Sequence, residues 1–286
     1  MKYEFISAHS NEFGITQMCK ALKIKRSGYY TWNSRPECKR EKMDTKLTVE
    51  IKAIFFENNK HYGSPRVCAE LKKRGAVCGH NHVARLMRAA CLVARPKKKY
   101  HPQTTKQDPT ATFASNVLNQ DFSAAELNQK WVSDITYIDT LEGWLYLSAI
   151  LDLKSRYVVG WAMDEHMESS LIQSALKMAF SRRRISGNLL HHSDRGSQYT
   201  SFSYQSLLLQ RGCQISMSRT GNCYDNAVME SFFSSLKFEC ANIRFPSRRI
   251  AELSIFEYIE GWYNRKRLHS SLGYLSPLEY EASLET

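Results

Sequence analysis

Three carboxylates and a lysine define the chemistry this chain could perform. Asp134 interrupts an apolar stretch, where an unpaired charge is costly; Asp194 follows a short apolar run; Glu230 lies in a segment of helical periodicity that begins at Asp225. Fifty-nine residues separate the first pair and 35 the second. At ~100° per residue, Asn226, Glu230, Ser234 and Lys237 share one helical stripe within about 80°. Val228, Met229, Phe232, Leu236 and Cys240 cover the other side. Carboxylates held close together repel one another and bind hard divalent cations through oxygen. Two such ions ~4 Å apart can activate an attacking hydroxyl and stabilise the leaving oxygen of an in-line phosphodiester displacement. Lys237, two turns beyond Glu230, could meet a substrate phosphate. With 28 Asp and Glu in the chain, spacing alone is a weak argument, so the elements that carry these residues have to supply the rest.

The periodicity places all three carboxylates in one fold. WVSDITYI alternates, with Val132, Asp134, Thr136 and Ile138 on one face and Trp131, Ser133, Ile135 and Tyr137 on the other. Residues 144–153 and 156–163 continue as strands joined by short turns. A helix over 170–183, a short strand at 189–192, a helix over 204–210, a strand at 213–217 and the helix from Asp225 follow. This order predicts an α/β, ribonuclease H-like domain over 111–286: a mixed five-stranded sheet with flanking helices and a C-terminal helix.

Upstream the chain has a different character. Residues 1–110 hold 23 Lys and Arg against 9 Asp and Glu, a net of +14, whereas 111–286 carry a net of −2. Positive charge gathered into one region suits a polyanion-binding module, because phosphate contacts supply the sequence-independent part of nucleic-acid affinity. Residues 1–94 read as a basic all-α region with two helix-turn-helix-like units. The first is 15–32, with Ser27 as N-cap of its second helix; the other runs from Tyr62 to Ala90, with Ser64 as N-cap, Gly75 as terminator, and Arg85 and Arg88 facing outward. Residues 95–110, with three prolines and the run Lys97, Lys98 and Lys99, read as a basic linker. Eight cysteines without Cys-x-x-Cys spacing point to reduced thiols, and no run nears the ~18 apolar residues of a membrane span. The expected setting is a soluble cytoplasmic protein without membrane association.

Several segments carry a specific resemblance: WVSDITYI, EGWLYLSAILDLKSRYVVGWAM, HHSDRGSQYTS, MSRTGNCYDNAVMESFFSSLKFE and YNRKRLHSSLGYLSPLEY, together with the upstream MCKALKIKRSGYYTW and HYGSPRVCAELKKRG. The sequence resembles the DDE transposases of bacterial insertion sequences, specifically the downstream-frame protein (OrfB) of the IS-three family, relatives of retroviral integrases. The resemblance implies that Asp134, Asp194 and Glu230 are the catalytic, metal-binding triad and that Mg²⁺ or Mn²⁺, two ions per site, is the cofactor. The substrate would be double-stranded DNA, namely terminal inverted repeats and target DNA, cleaved and joined by phosphoryl transfer. It further implies an upstream-frame helix-turn-helix and leucine-zipper partner (OrfA), or fusion with it, an oligomer on DNA, and association with the bacterial nucleoid. The chain itself shows no sustained heptads with which to pair subunits. Expected DNA contacts are Lys237, Asn226, Arg26, Arg85, Arg88, Lys97, Lys98, Lys99, Arg265 and Arg267.

Weaker signals stay open. Asn226 either orients a water at the metal or caps its helix; Gly196, Ser197, Gln198 and Tyr199 shape a DNA-facing loop or merely turn the chain; Gly221 to Asn226 suit a mobile active-site loop. His191 and His192 are conceivable metal ligands, although hard cations seldom need imidazole. Cys78, His80 and His82 hint at zinc but lack a fourth ligand. Two rival functions follow from other residues. A tyrosine recombinase would use His192, Arg195 and Tyr224; a DNA-binding regulator would carry an inactive ribonuclease H-like domain.

Overall fold

The computed structural model describes residues 2–34, 38–95, 113–185, 188–219 and 223–285. The chain divides into two compact units, Met1–Ala94 and Arg95–Thr286. The expected linker lies, apart from Arg95, outside the described residues, and with it Lys97, Lys98 and Lys99.

The first unit is all helical. Helices α1 (Lys2–Ala8), α2 (Ile15–Ala21) and α3 (Arg26–Asn33) close on Ile6, Met18, Cys19 and Tyr29. Tyr3 of α1 lies over Gly28, where a Cβ would meet its hydroxyl at 2.7 Å. The N-cap of α3 is Lys25, so the expected cap Ser27 sits inside the first turn. A second trio follows: α4 (Lys39–Glu57), α5 (Ser64–Lys73) and α6 (His80–Ala89). It buries Ile51, Ile54 and Phe55 with Val67, Leu71, Val83, Leu86 and Met87. Helix α4 escapes periodicity because its buried residues all lie in its last third. Its start is nonetheless encoded by a capping box, in which Cys38 Sγ accepts from the Glu41 N–H and Glu41 accepts from the Cys38 N–H at 2.8 Å. Ser64 opens α5 as its first residue, with Gly63 at the N-cap, and Gly75 follows the helix with φ of 85°.

The second unit is built on a five-stranded sheet of β1 (Lys130–Thr140), β2 (Gly143–Asp152), β3 (Val158–Asp164), β4 (Leu190–Ser193) and β5 (Gln214–Met217). Its order is β3-β2-β1-β4-β5, antiparallel among the first three strands and parallel from β1 to β4 to β5. This is the mixed sheet that the sequence predicts. The third strand begins two residues later than expected, because Asp152 organises the preceding turn by accepting from the Lys154 and Ser155 N–H groups. Alternation along β1 sends side chains into two cores. Val132 and Ile138 join one with Met229, Phe232 and Leu236 of α9 (Ala227–Glu239). Trp131 and Ile135 join the other with Ile172 and Leu176 of α7 (Ser169–Arg182) and Tyr204 and Leu208 of α8 (Phe202–Gln210). Helix α7 lies so near β3 that a Cβ on Gly160 would strike the Ala175 carbonyl and Ala179.

The C-terminal segment meets the β3 edge of that sheet at Val158. Helix α10 (Arg248–Phe256) runs into a π-helix, Glu257–Tyr263, and α11 (Pro277–Leu284) ends the fold. Asn264 then accepts from the Val158 N–H at 2.9 Å and donates to its carbonyl at 3.2 Å, pairing the edge strand β3.

Candidate active site

The parallel pairing of β1 with β4 lasts only from Lys130↔Leu190 to Val132↔His192. Beyond it the two strands part. Asp134 is the second residue of β1 past this fork and Asp194 the first residue after β4, so residues 60 apart in sequence emerge together where the parallel pairing ends. That is where open α/β sheets form their crevice. Asp134 stands opposite the small Ala149 of β2 and accepts from the Ile135 N–H at 2.7 Å. Asp194 accepts from the Gly196 N–H at 2.9 Å.

Glu230 comes from the first turn of α9, on its exposed side, while Met229, Phe232, Phe233 and Leu236 are buried. The helix is tied to the fork at its start. Asn226 Nδ2 donates to the Ser133 carbonyl at 3.3 Å, one residue before Asp134. Its Oδ1 is buried without a hydrogen-bond partner. Asn226 does not cap α9 through its side chain, so the capping alternative is set aside.

Electrostatics binds the three carboxylates into one site. Burial first, then the charge of Asp194 and, less strongly, that of Glu230 push the Asp134 carboxyl well above its ordinary range; the Ile135 N–H and Lys237 oppose this. Burial pulls Lys237 below its ordinary value, against the pull of Asp134. Its Nζ lies 4.2 Å from the centroid of the Tyr137 ring. The result is an oxygen-only cluster of mutually repelling anions with one lysine beside it, a donor set that suits a hard divalent cation. Among the described residues no three His, Cys, Asp or Glu side chains converge closely enough to form a finished ligand cage.

Asp225, which sequence reasoning passed over, positions the beginning of α9. It is wholly buried and accepts from Asn116 Nδ2 at 2.8 Å, Gln120 Nε2 at 2.9 Å, the Arg219 N–H at 2.8 Å and the Arg219 guanidinium at 3.1 Å. Burial would raise its carboxyl, but these donors, Arg219 foremost, hold it at about 2. The only sequence signal was its place five residues before Glu230.

The remaining expected residues scatter. Arg267 is a correction: its guanidinium is buried in a two-pronged ion pair with Glu239 at 2.8 and 2.9 Å and is not presented to DNA. Arg265 is exposed. In the first unit Arg26 and Arg88 are exposed, and Arg26 lies 5.9 Å from the Tyr30 ring. Arg85 pairs with Asp44 at 2.6 Å while still half exposed. His192 is held between Ser216 and Ser218, and His191 contacts the Tyr204 hydroxyl. Burial lowers them to about 4 and about 3, leaving both neutral. The zinc hint at Cys78, His80 and His82 dissolves, since His80 faces Ser64 at 3.0 Å and His82 faces Asp44 at 2.6 Å.

A family model described as an integrase core domain matches residues 124–223, and a second of the same description matches 211–277. An HTH-like domain matches 42–100, the stretch that begins in α4. Fold and site therefore define a DNA transposase with an integrase-type catalytic core, a polynucleotidyl transferase preceded by an HTH-like domain. An integrase-type core implies dependence on a divalent metal. The transposase InsF for insertion sequence IS3A of Escherichia coli K12 is 43% identical over 284 residues, covering 98% of both chains. A 31 kDa protein of insertion element IS600 from Shigella sonnei is 42% identical over 92% of this chain and 97% of its own. The chain belongs to the IS3 family of insertion-sequence transposases. Among solved structures, the simian T-cell lymphotropic virus intasome matches 81% of this chain and 73% of its own, at 16% identity and a TM-score of 0.45. The catalytic core of BIV integrase matches 55% of this chain and 97% of its own, at 18% identity and a TM-score of 0.41. Among the described residues no helix is long and apolar enough to cross a membrane.

Proposed function

We propose that Asp134, Asp194 and Glu230 are the catalytic residues of this transposase and hold Mg²⁺ or Mn²⁺, two ions per site. The observation that carries the reading is the fork between β1 and β4, which delivers Asp134 and Asp194 to one crevice with the start of α9 bound at Ser133. The metal, when bound, would stabilise charge on the attacking and leaving oxygens of a phosphodiester. The chain's own residues do the rest. Asp134 and Asp194 present acceptors from rigid backbone, Asn226 and Asp225 fix the helix that carries Glu230, and Lys237 draws a DNA phosphate toward the carboxylates. The orphaned Asn226 Oδ1 offers one more oxygen beside this donor set.

The DNA is the element's own terminal repeats and then the target. The exposed Arg26, Arg88 and Arg265 serve phosphate contacts, while Arg85 already shares its charge with Asp44. The regional bounds 1–94, 95–110 and 111–286 belong to this reading. So do an oligomer on DNA, an upstream-frame helix-turn-helix and leucine-zipper partner, and a cytoplasmic, nucleoid-associated location. The tyrosine-recombinase alternative is disfavoured by its own residues: His192 is locked between two serines and the Arg195 guanidinium lies 4.8 Å from the Phe113 ring.

The test is strand cleavage and joining on candidate terminal repeats by Asp134→Ala, Asp194→Ala and Glu230→Ala. Each is expected to lose activity by at least roughly 10³-fold, comparable with removing a major transition-state contact, while circular dichroism and DNA affinity stay close to wild type. Appreciable joining by any one folded variant overturns the assignment. No cleavage or joining by the wild-type chain itself would favour the inactive-domain regulator.

A further inference from the structure

Tyr137 and Trp144 lie together on the sheet face opposite to that of Asp134. Tyr137 pairs across the strands with Tyr146, and Trp144 is the diagonal neighbour two residues along. Their rings meet edge to face, with centroids 4.9 Å apart. Neither belongs to the two hydrophobic cores of this unit, and Trp144 keeps 47% of its surface in water. A tryptophan left half exposed on a strand forgoes much of the burial for which aromatic side chains are otherwise selected. Lys237 reaches the same group, with Nζ 4.2 Å from the Tyr137 centroid. It also interacts with Asp134, so one lysine joins the aromatic pair to the carboxylate crevice. Along β1, Tyr137 is three residues past Asp134, about 10 Å at ~3.3 Å per residue.

We propose that Tyr137 and Trp144 form a stacking platform for an unpaired nucleobase of the DNA strand, within three nucleotides of the phosphate under attack. The proposal rests on the reading of the carboxylates given above and adds a base-binding subsite to it. Two features select this ligand. Every base offers a π face that stacks on aromatic rings irrespective of sequence, and the Lys237 ammonium over the Tyr137 ring meets the phosphate joined to that base. A duplex end has to open before its terminal phosphates can enter a crevice, and a stacked base compensates for the lost pairing. Trp144, rather than Tyr137, is the diagnostic residue, because it is the more exposed.

The experiment uses the full chain in EDTA, with 2-aminopurine placed singly at each of the last three positions of a frayed terminal-repeat duplex. Wild-type protein is expected to quench the fluorophore at one position. Trp144→Ala should abolish that quenching and weaken binding roughly tenfold, within the range of base–aromatic stacking measured by alanine substitution. Trp144→Phe should retain most of both. Replacing that nucleotide by an abasic site should make wild type and Trp144→Ala bind equally. Wild-type protein that quenches at none of the three positions, or a Trp144→Ala defect that persists on abasic DNA, overturns the platform. Binding is read without metal, so a failed platform leaves strand cleavage intact, whereas a failed reading of the carboxylates appears as cleavage that survives their removal.

Discussion

The two units of this transposase spend their charge in opposite ways. In the helical unit, cations sit on exposed faces, and its ion pairs, such as Arg85 with Asp44 and Arg74 with Glu57, are open to water. In the sheet unit the net charge is near zero, yet ionic groups are buried: Arg267 with Glu239, Glu281 beside the partly buried Arg183, and Asp225 among five donor atoms. Exposed charge acts at a distance, is screened by salt and tolerates imprecise placement. Buried charge acts by geometry and is costly to leave alone. A protein that first finds DNA and then breaks one bond in it needs both, and here they are separated along the chain.

Salt gives the sharpest test of that contrast. Residues 1–110, at +14, are expected to bind duplex DNA with an affinity that falls roughly 10³-fold between 50 and 200 mM salt, as for about six phosphate contacts. Residues 111–286, at −2, should show a much weaker and flatter dependence. Fluorescence anisotropy across a salt series measures both slopes, and equal slopes would erase the division of labour.

Stability reads the same contrast from the other side. Arg267→Ala removes the cation from Glu239, whose side chain is 3% exposed and still accepts from the Tyr258 hydroxyl, and should cost about 3–5 kcal/mol. Denaturant unfolding measures it; a loss under ~1 kcal/mol would mean that this pair behaves like a surface one. Asp225→Asn should cost about 2 kcal/mol, as several charge-assisted hydrogen bonds weaken together. Its acid dependence follows from sign. The folded-state carboxyl, at about 2, is depressed below the ~3.9 of an unfolded chain. Its stabilisation is therefore complete above about pH 4 and is lost as pH falls toward 2. Unfolding measured from pH 5 to pH 2 should be less steep in the variant, and identical slopes would show that the carboxylate is not held as described. The smallest effect is expected in the helical unit, where Arg85→Ala should shift stability by no more than about 0.5 kcal/mol, as for an exposed ion pair. A Tm drop equal to that of Arg267→Ala would break the comparison.

How much of this could be read in advance depends on the range over which each feature is decided. The alternation of WVSDITYI placed Asp134 and Trp131 on opposite faces, and the structure sends their neighbours into separate cores. The helical stripe of Glu230 and Lys237 and the sequence of strand and helix types were equally legible. These are properties of a few consecutive residues, written in periods of two and 3.6. Helix α4 was not legible, because its first two turns bury nothing and only the cap at Cys38 marks its start.

What the tertiary structure decided are meetings between distant residues. Nothing near Arg267 distinguishes it from the exposed Arg265; Glu239, 28 positions away, takes it into the interior. Asn226 is a plausible cap by type, yet the carbonyl of Ser133 claims its side chain. Asp225 carries no motif of its own, and its role arises from loop residues more than a hundred positions upstream. The fork of β1 and β4 is the clearest case. Local pattern determined that Asp134 lies within a strand and Asp194 at the end of one, but only the parallel pairing of those strands, and its stop at Val132↔His192, brings the two carboxylates into one crevice. Periodicity is set by each residue's immediate neighbours, whereas pairing partners, burial of charge and the shape of a site follow from which distant surfaces pack together.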